Sequence, residues 1–239
     1  MLLEMLLAGA AIWLFKSSGT KTQDTNKIST PIASPPRTCQ SDFSAVDATK
    51  RKIVEAARTR RIEYLCHFTR KENLSSIQKY GLLSRQKLEN AAMSFQSNDD
   101  QRFDGYRNSV SLSVTFPNYK MFWSLRQKNK STQWAVILLD ACKVLQYCEC
   151  AFQRTNAASN KVRHVPIESR KTFESFDDMF YDENTRRARN LRDNETTDPQ
   201  AEILCFDGIP PEFIKDIKYS GEYLDPRHDW SYWKKSVGE

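Results

Sequence analysis

The 239-residue chain has neither a GxGxxG stretch nor a GxxxxGK[ST] stretch, the two glycine-rich loops that seat a dinucleotide pyrophosphate or a nucleoside triphosphate. A Rossmann site or a P-loop nucleotidase is therefore unsupported. Zinc-type spacing is missing too: Cys39, Cys66, Cys142, Cys148, Cys150 and Cys205 contain no CxxC pair, so no metal is expected. Cys66, Cys142 and Cys205 lie in apolar runs, where a thiol behaves as a small hydrophobe. Reduced thiols point to a cytosolic catalytic portion. No apolar run reaches the ~20 residues needed to cross a bilayer comfortably. The membrane-like stretch MLLEMLLAGAAIWLFK is apolar only from Met5 to Phe15, and Glu4 blocks its extension. It lacks a basic leader and a clear small-residue cleavage site. Lys16, Lys21 and Lys27 follow it and would hold the downstream chain in the cytoplasm. A weak anchor to the inner face of a membrane, a signal peptide and a local helix all stay open for residues 1–16. No internal repeat is visible.

What is present is a moderately basic chain, net charge +6 with pI near 8.9, which suits a polyanionic partner without requiring one. Residues 17–45 are rich in Ser, Thr, Lys and Pro with no apolar period and read as a linker. A folded domain spans 46–225, with a tail at 226–239 whose aromatics dock on it. Asp47 is placed to cap a helix carrying Ile53, Val54 and Ala57 on one face. IEYLCHFT reads as a strand, followed by a helix from Glu72 to Tyr80 that Gly81 stops. Residues 93–107 form a loop too long for a mere connection. SVSLSVTF alternates strictly, with Val110, Leu112 and Val114 on one face and Ser109, Ser111 and Ser113 on the other. YKMFWSLRQK reads as a helix, WAVILLD (134–140) as a buried strand and DIKYS (216–220) as a last strand. Between them lies a polar excursion, 141–200, with a helix expected over 173–191. Interrupted strands with helices near the front predict an α+β fold.

Two features call for chemistry. AEILCF reads as a fully buried strand, yet Glu202 stands near its start. Burying an unpaired carboxylate costs several kcal/mol, so either that end opens to water or the acid has a task. At the end of the first strand His67 and Thr69 point to one side and can hold a ribose hydroxyl; a strand-end histidine capping the next helix is the plainer alternative.

Three stretches, in order, resemble the DarT family of nucleic-acid ADP-ribosyltransferases, toxins that act with an antitoxin: YLCHFTRKENLSSIQKYGLLSR, RFDGYRNSVSLSVTFPNYKMFW and QAEILCFDGIPPEFI. The resemblance covers about residues 60–220 and leaves residues 1–45 unaccounted for. It implies an ADP-ribosyltransferase-like fold with a split central sheet and flanking helices, NAD as co-substrate, and transfer of ADP-ribose to a base of single-stranded DNA. Carried over by motif, His67, Thr69 and Asn73 would hold the ribose and amide of NAD, and Tyr119 and Met121 would line the nicotinamide pocket. Arg102 would be the catalytic arginine, reaching the diphosphate of NAD or the acceptor base, with Arg107 as its neighbour in the same loop, and Glu202 the catalytic carboxylate. A macrodomain antitoxin would be the partner.

Such a reaction needs a carboxylate beside an oxocarbenium-like centre and an open groove for phosphates. The excursion offers Arg154, Asn156, Lys161 and Arg163, then Arg170, Lys171, Arg186, Arg187, Arg189 and Arg192. Pairs such as Glu183 with Arg186 and Arg187 could instead solvate a helix. RNA, protein or water as acceptor, and a membrane-tethered binding module without turnover, stay open as alternatives.

Overall fold

The computed structural model describes residues 38–96 and 105–219. Helix α1 (Thr38–Thr59) leads to strand β1 (Tyr64–Arg70), a 3-10 turn, helix α2 (Leu74–Tyr80) and helix α3 (Arg85–Asn90). Strand β2 (Ser109–Val114), helix α4 (Tyr119–Lys128), strand β3 (Trp134–Asp140), helix α5 (Ala141–Tyr147) and strand β4 (Cys150–Gln153) follow. Helices α6 (Phe173–Asp177) and α7 (Glu183–Ala188) precede strands β5 (Glu202–Phe206) and β6 (Ile214–Tyr219). The six strands pair antiparallel in the order β4-β5-β2-β1-β3-β6, an α+β architecture as the pattern predicts.

The sheet is split. Between β1 and β3 the ladder runs from Tyr64 opposite Asp140 to Arg70 opposite Trp134. Between β1 and β2 it holds only Leu65 opposite Val114 and Cys66 opposite Ser113. Beyond those two rungs β2 leaves β1 and pairs with β5. Apolar layers cover both faces. Ile53, Val54 and Ala57 of α1, Phe176 of α6 and the Val110–Leu112–Val114 face of β2 share the main core, with the Phe152 and Phe176 rings edge to face at 5.3 Å. On the other side Phe68, Phe122 and Trp134 cluster.

Several sequence-based expectations are corrected. Helix α1 begins at Thr38, inside the stretch read as linker, so Asp47 is no cap; it sits within the helix and pairs with Arg51 one turn on. The helix expected over 173–191 is two short ones. Helix α6 stops at Asp177 and a 3-10 turn runs over Asp178–Phe180; Tyr181 is then extended, and Asp182 adopts a left-handed φ of 71° from which its carboxylate caps α7 by accepting from the Thr185 N–H. Helix α5 and strand β4 fall within the stretch read as a polar excursion, and all four residues of β4 are buried. The tail 226–239 and residues 1–16 lie outside the described residues. Among the described residues no helix is long and apolar enough to cross a membrane. Cys142, Cys148, Cys150 and Cys205 are thiols, not disulfides, and the hydrogen bond with Cys205 together with burial pushes the Cys148 thiol far up.

Gly81 ends α2 with φ +79°, and the next residue makes a two-way backbone bridge, Leu82 N–H to Ile209 O at 2.9 Å and Ile209 N–H to Leu82 O at 2.8 Å. A Cβ at 81 would stand 2.1 Å from Ile209 O. Gly81→Ala therefore combines left-handed strain with a backbone clash and is expected to cost about 2–4 kcal/mol. Urea unfolding checks this: the midpoint should fall with little change in slope, and a loss under about 1 kcal/mol would show that the bridge yields.

Candidate active site

Where β2 parts from β1, a cavity of about 230 Å³ opens in the wedge. Backbone groups released by the short ladder are taken up by side chains. His67 donates from Nδ1 to the Ser111 carbonyl at 3.0 Å, because a carbonyl can only accept. In the neutral ring that bond fixes the tautomer with the proton on Nδ1, and His67 lines the cavity. Ser111 and Ser113 also line the cavity, so the hydroxylated face of β2 is a cavity wall.

At the end of β1, the buried Thr69 accepts from Asn73 Nδ2 at 3.0 Å. The same amide nitrogen donates to Gln96 O at 2.9 Å, and Asn73 Oδ1 accepts the Gln96 N–H at 2.8 Å. Asn73 thus clips the segment that leads into residues 97–104 onto the strand end, using both ends of its amide.

The turn after β2 is strained. Thr115, β-branched, has φ 61°, a conformation that costs of order 1–3 kcal/mol. Its N–H bonds Tyr64 O at 2.9 Å and its hydroxyl bonds Asn194 O at 2.7 Å. The reversal brings Asn118 back so that its N–H reaches Ser113 Oγ at 3.0 Å, while its side chain caps α4 through the Met121 N–H. Asn118 and Met121 both line the cavity.

Glu202 opens β5 directly opposite Gln153 of β4. Its Oε2 accepts the Ala157 N–H at 2.8 Å, from a turn in which the Asn156 side chain accepts the Ala158 N–H at 2.9 Å. Glu202 is half-buried and is the one carboxylate lining the cavity among the described residues. The strand delivers its acid to the cavity mouth.

Of the residues singled out in the sequence, His67, Thr69, Asn73, Met121, Asn156 and Glu202 come together on this cavity. Tyr119 does not line it. The ring is buried beneath α4, its hydroxyl accepts from Arg189 at 3.4 Å, and burial pushes the phenol up against the pull of that guanidinium. Arg102 lies outside the described residues. Arg107 points elsewhere, to Glu89. Lys161 and Arg163 are exposed beyond the Asn156 turn, and Arg154 lies 3.9 Å from Asp178 and over the exposed Tyr181 ring. Two of the arginines offered for phosphates are buried staples. Arg170 donates to Gln153, Tyr106 and Val165 O, and Arg186 donates to Glu195 O and Arg192 O. Lys171 pairs with Glu149 and Glu168. Sequence reading missed Asn118 and Gln153; the first had a legible signal, an Asn at the N-terminus of a periodic segment.

Residues 66–223 match the family model described as ssDNA thymidine ADP-ribosyltransferase, DarT. Among solved structures, one titled "Thermosipho africanus DarTG in complex with ADP-ribose" is similar at 16% identity and a TM-score of 0.45, over 74% of this chain and 48% of that one. The chain thus spans about half the length of that protein. No curated protein matches.

The clip formed by Asn73 makes a measurable claim. Asn73→Ala removes both bonds to Gln96, so the Gln96 amide should lose about fivefold in hydrogen-exchange protection, for ~1 kcal/mol of bonding, while amides of β3 stay protected. Unchanged exchange at Gln96 would mean that the segment is held by other contacts.

Proposed function

We propose, for a chain that belongs to the DarT family of ssDNA thymidine ADP-ribosyltransferases, that the wedge cavity binds NAD and that Glu202 serves the transfer of ADP-ribose to thymidine in single-stranded DNA. The observation that supports this is the convergence of His67, Thr69, Asn73 and Glu202, from opposite ends of the domain sequence, on one cavity. NAD as co-substrate and ADP-ribosyl transfer belong to the family, and the match favours transfer to DNA over the RNA, protein and non-catalytic alternatives.

The chemistry follows from the placement. Cleaving the bond between nicotinamide nitrogen and ribose C1′ leaves an oxocarbenium-like centre and releases nicotinamide as a neutral leaving group. An ionised carboxylate at the cavity mouth stabilises that centre. The Ala157 N–H holds Oε2 of Glu202 and so fixes the plane of the carboxylate before substrate arrives. His67, oriented at the cavity wall by its Nδ1 bond to the Ser111 carbonyl, is the contact for a ribose hydroxyl. The thymine ring has one N–H in a nucleotide, at N3; attack of N3 on C1′ forms the new bond, and its proton passes to Glu202. The capped N-terminus of α4 and the hydroxylated wall of β2 accommodate the dinucleotide. Arg102 is assigned to the diphosphate, where a guanidinium gives paired donors. Arg154, Lys161 and Arg163, beyond the Asn156 turn, are the phosphate contacts of the strand. A macrodomain antitoxin that removes the modification, and catalysis on the cytoplasmic side, complete the reading; tethering through residues 1–16 is left to fractionation of the expressed chain.

The test is direct. Incubated with NAD, oligonucleotides containing thymidine should gain the mass of one ADP-ribose and release nicotinamide, and oligonucleotides lacking thymidine should not. Glu202→Gln should lower kcat by about 10²–10⁴ with the KM for NAD within about threefold. Full activity in that variant would remove Glu202 from the mechanism.

A further inference from the structure

Across the β4–β5 ladder from Glu202 stands Gln153, 1% exposed. Directly opposed residues on antiparallel strands share a face, with Cβ atoms about 5 Å apart, so the carboxamide and the carboxylate are neighbours by register. Gln153 Oε1 accepts from Arg170 Nη1 at 2.9 Å. Arg170 is itself 3% exposed, and its Nη2 donates to the Tyr106 hydroxyl at 3.0 Å and to Val165 O at 2.7 Å. All of these acceptors are neutral. Two donors of the knot, Gln153 Nε2 and Arg170 Nε, have no acceptor at all.

That arrangement is unfavourable on its own terms. A buried guanidinium seeks a carboxylate, and a buried donor without an acceptor is costly. Glutamate at 153 would be isosteric and would give Arg170 a full ion pair with two acceptor oxygens. The chain carries the neutral isostere instead. What sets position 153 apart is the next rung partner: a second carboxylate there would disfavour the charge on Glu202. Among the described residues, the other ionisable groups bordering the cavity are Cys66 and His67 of β1 and Arg85 of α3, with Tyr106 and Arg170 behind Gln153, and none of these is a carboxylate.

We propose that Gln153 and Arg170 are positioning residues for Glu202. The carboxamide, locked by the guanidinium, keeps the ladder partner of Glu202 neutral so that Glu202 stays ionised at working pH. Through Val165 O the same guanidinium anchors the far end of the loop whose Ala157 N–H holds Glu202. The inference rests on Glu202 being the catalytic carboxylate.

The experiment uses the full chain, NAD and a thymidine-containing oligonucleotide. Gln153→Glu should melt at or above the wild-type temperature, because the ion pair is completed. Its acidic limb of kcat against pH should move up by about one unit, a tenfold loss of kcat on that limb, with the KM for NAD changed less than about threefold. Gln153→Met, which breaks the lock without adding charge, should lose about tenfold in kcat with the acidic limb in place. A merely structural knot would move melting temperatures and leave the pH profile alone. A wild-type acidic limb in folded Gln153→Glu overturns the proposal, and so does a wild-type kcat in Gln153→Met should the first variant not fold. Glu202→Gln assayed alongside separates the two readings. If that variant is dead while Gln153→Glu keeps the wild-type profile, only the present inference falls; if it is active, both fall.

Discussion

Strands β1 and β2 stay paired for two rungs and then part, and the site depends on what fills the gap. A longer ladder would have satisfied the backbone and left no room. With the ladder cut short, each exposed backbone group needs a new partner in a buried setting. The Ser111 carbonyl takes the His67 imidazole, and at the reversal the Asn118 N–H takes the Ser113 hydroxyl. The side chains that repair the gap are the ones that line it. The strain at Thr115 is tolerable because three bonds on its own backbone and side chain hold the reversal in place.

The basic charge of the chain divides into two populations with opposite jobs. Arg170, Arg186 and Arg189 donate mainly to carbonyls, amides and hydroxyls: Arg186 ties the long segment between β4 and β5 to itself, while Arg170 and Arg189 also tie it to Gln153, Tyr106 and Tyr119. Arg154, Lys161 and Arg163 stay at the surface beside the turn that touches Glu202. A guanidinium suits the first role because its five donors can satisfy several loop carbonyls at once. The segment is anchored in the core by Phe176, Met179 and Phe180, and the arginine bonds hold the polar stretches between those anchors, including the one that presents Ala157 to Glu202.

This division explains where sequence reading succeeded and where it stopped. Strands β3 and β5 were legible as apolar runs between turn residues, and the alternation of β2 marked its core face, while the serine face could equally have met solvent until the structure put it on the cavity. The first turn of α1 was not legible: Thr38 to Ser44 has helical backbone but no apolar period. Strand β4 is four residues long, too short for any period to declare itself. The break before α7 turns on one left-handed residue, Asp182, whose helix-compatible neighbours hid it. Above all, composition cannot distinguish an arginine that reaches for phosphate from one buried against Gln153. Both count as charge.

Glu202 shows how narrow the geometry is. Two residues further along the same face, Leu204 is fully buried against Ala151 and Ala157. A carboxylate there would have neither an opening nor an N–H, and would be driven to its neutral form. At the first rung of β5 the acid still has a rigid strand beneath it, yet it gains the Ala157 donor and the cavity mouth together. The placement of the acid therefore rests on the strand end coinciding with the Asn156 turn, in a loop whose far end is bonded to Arg170 through Val165 O. A site assembled from a cut ladder, a strand end and a stapled loop places its acid by backbone register, with the neutral Gln153 directly across the ladder.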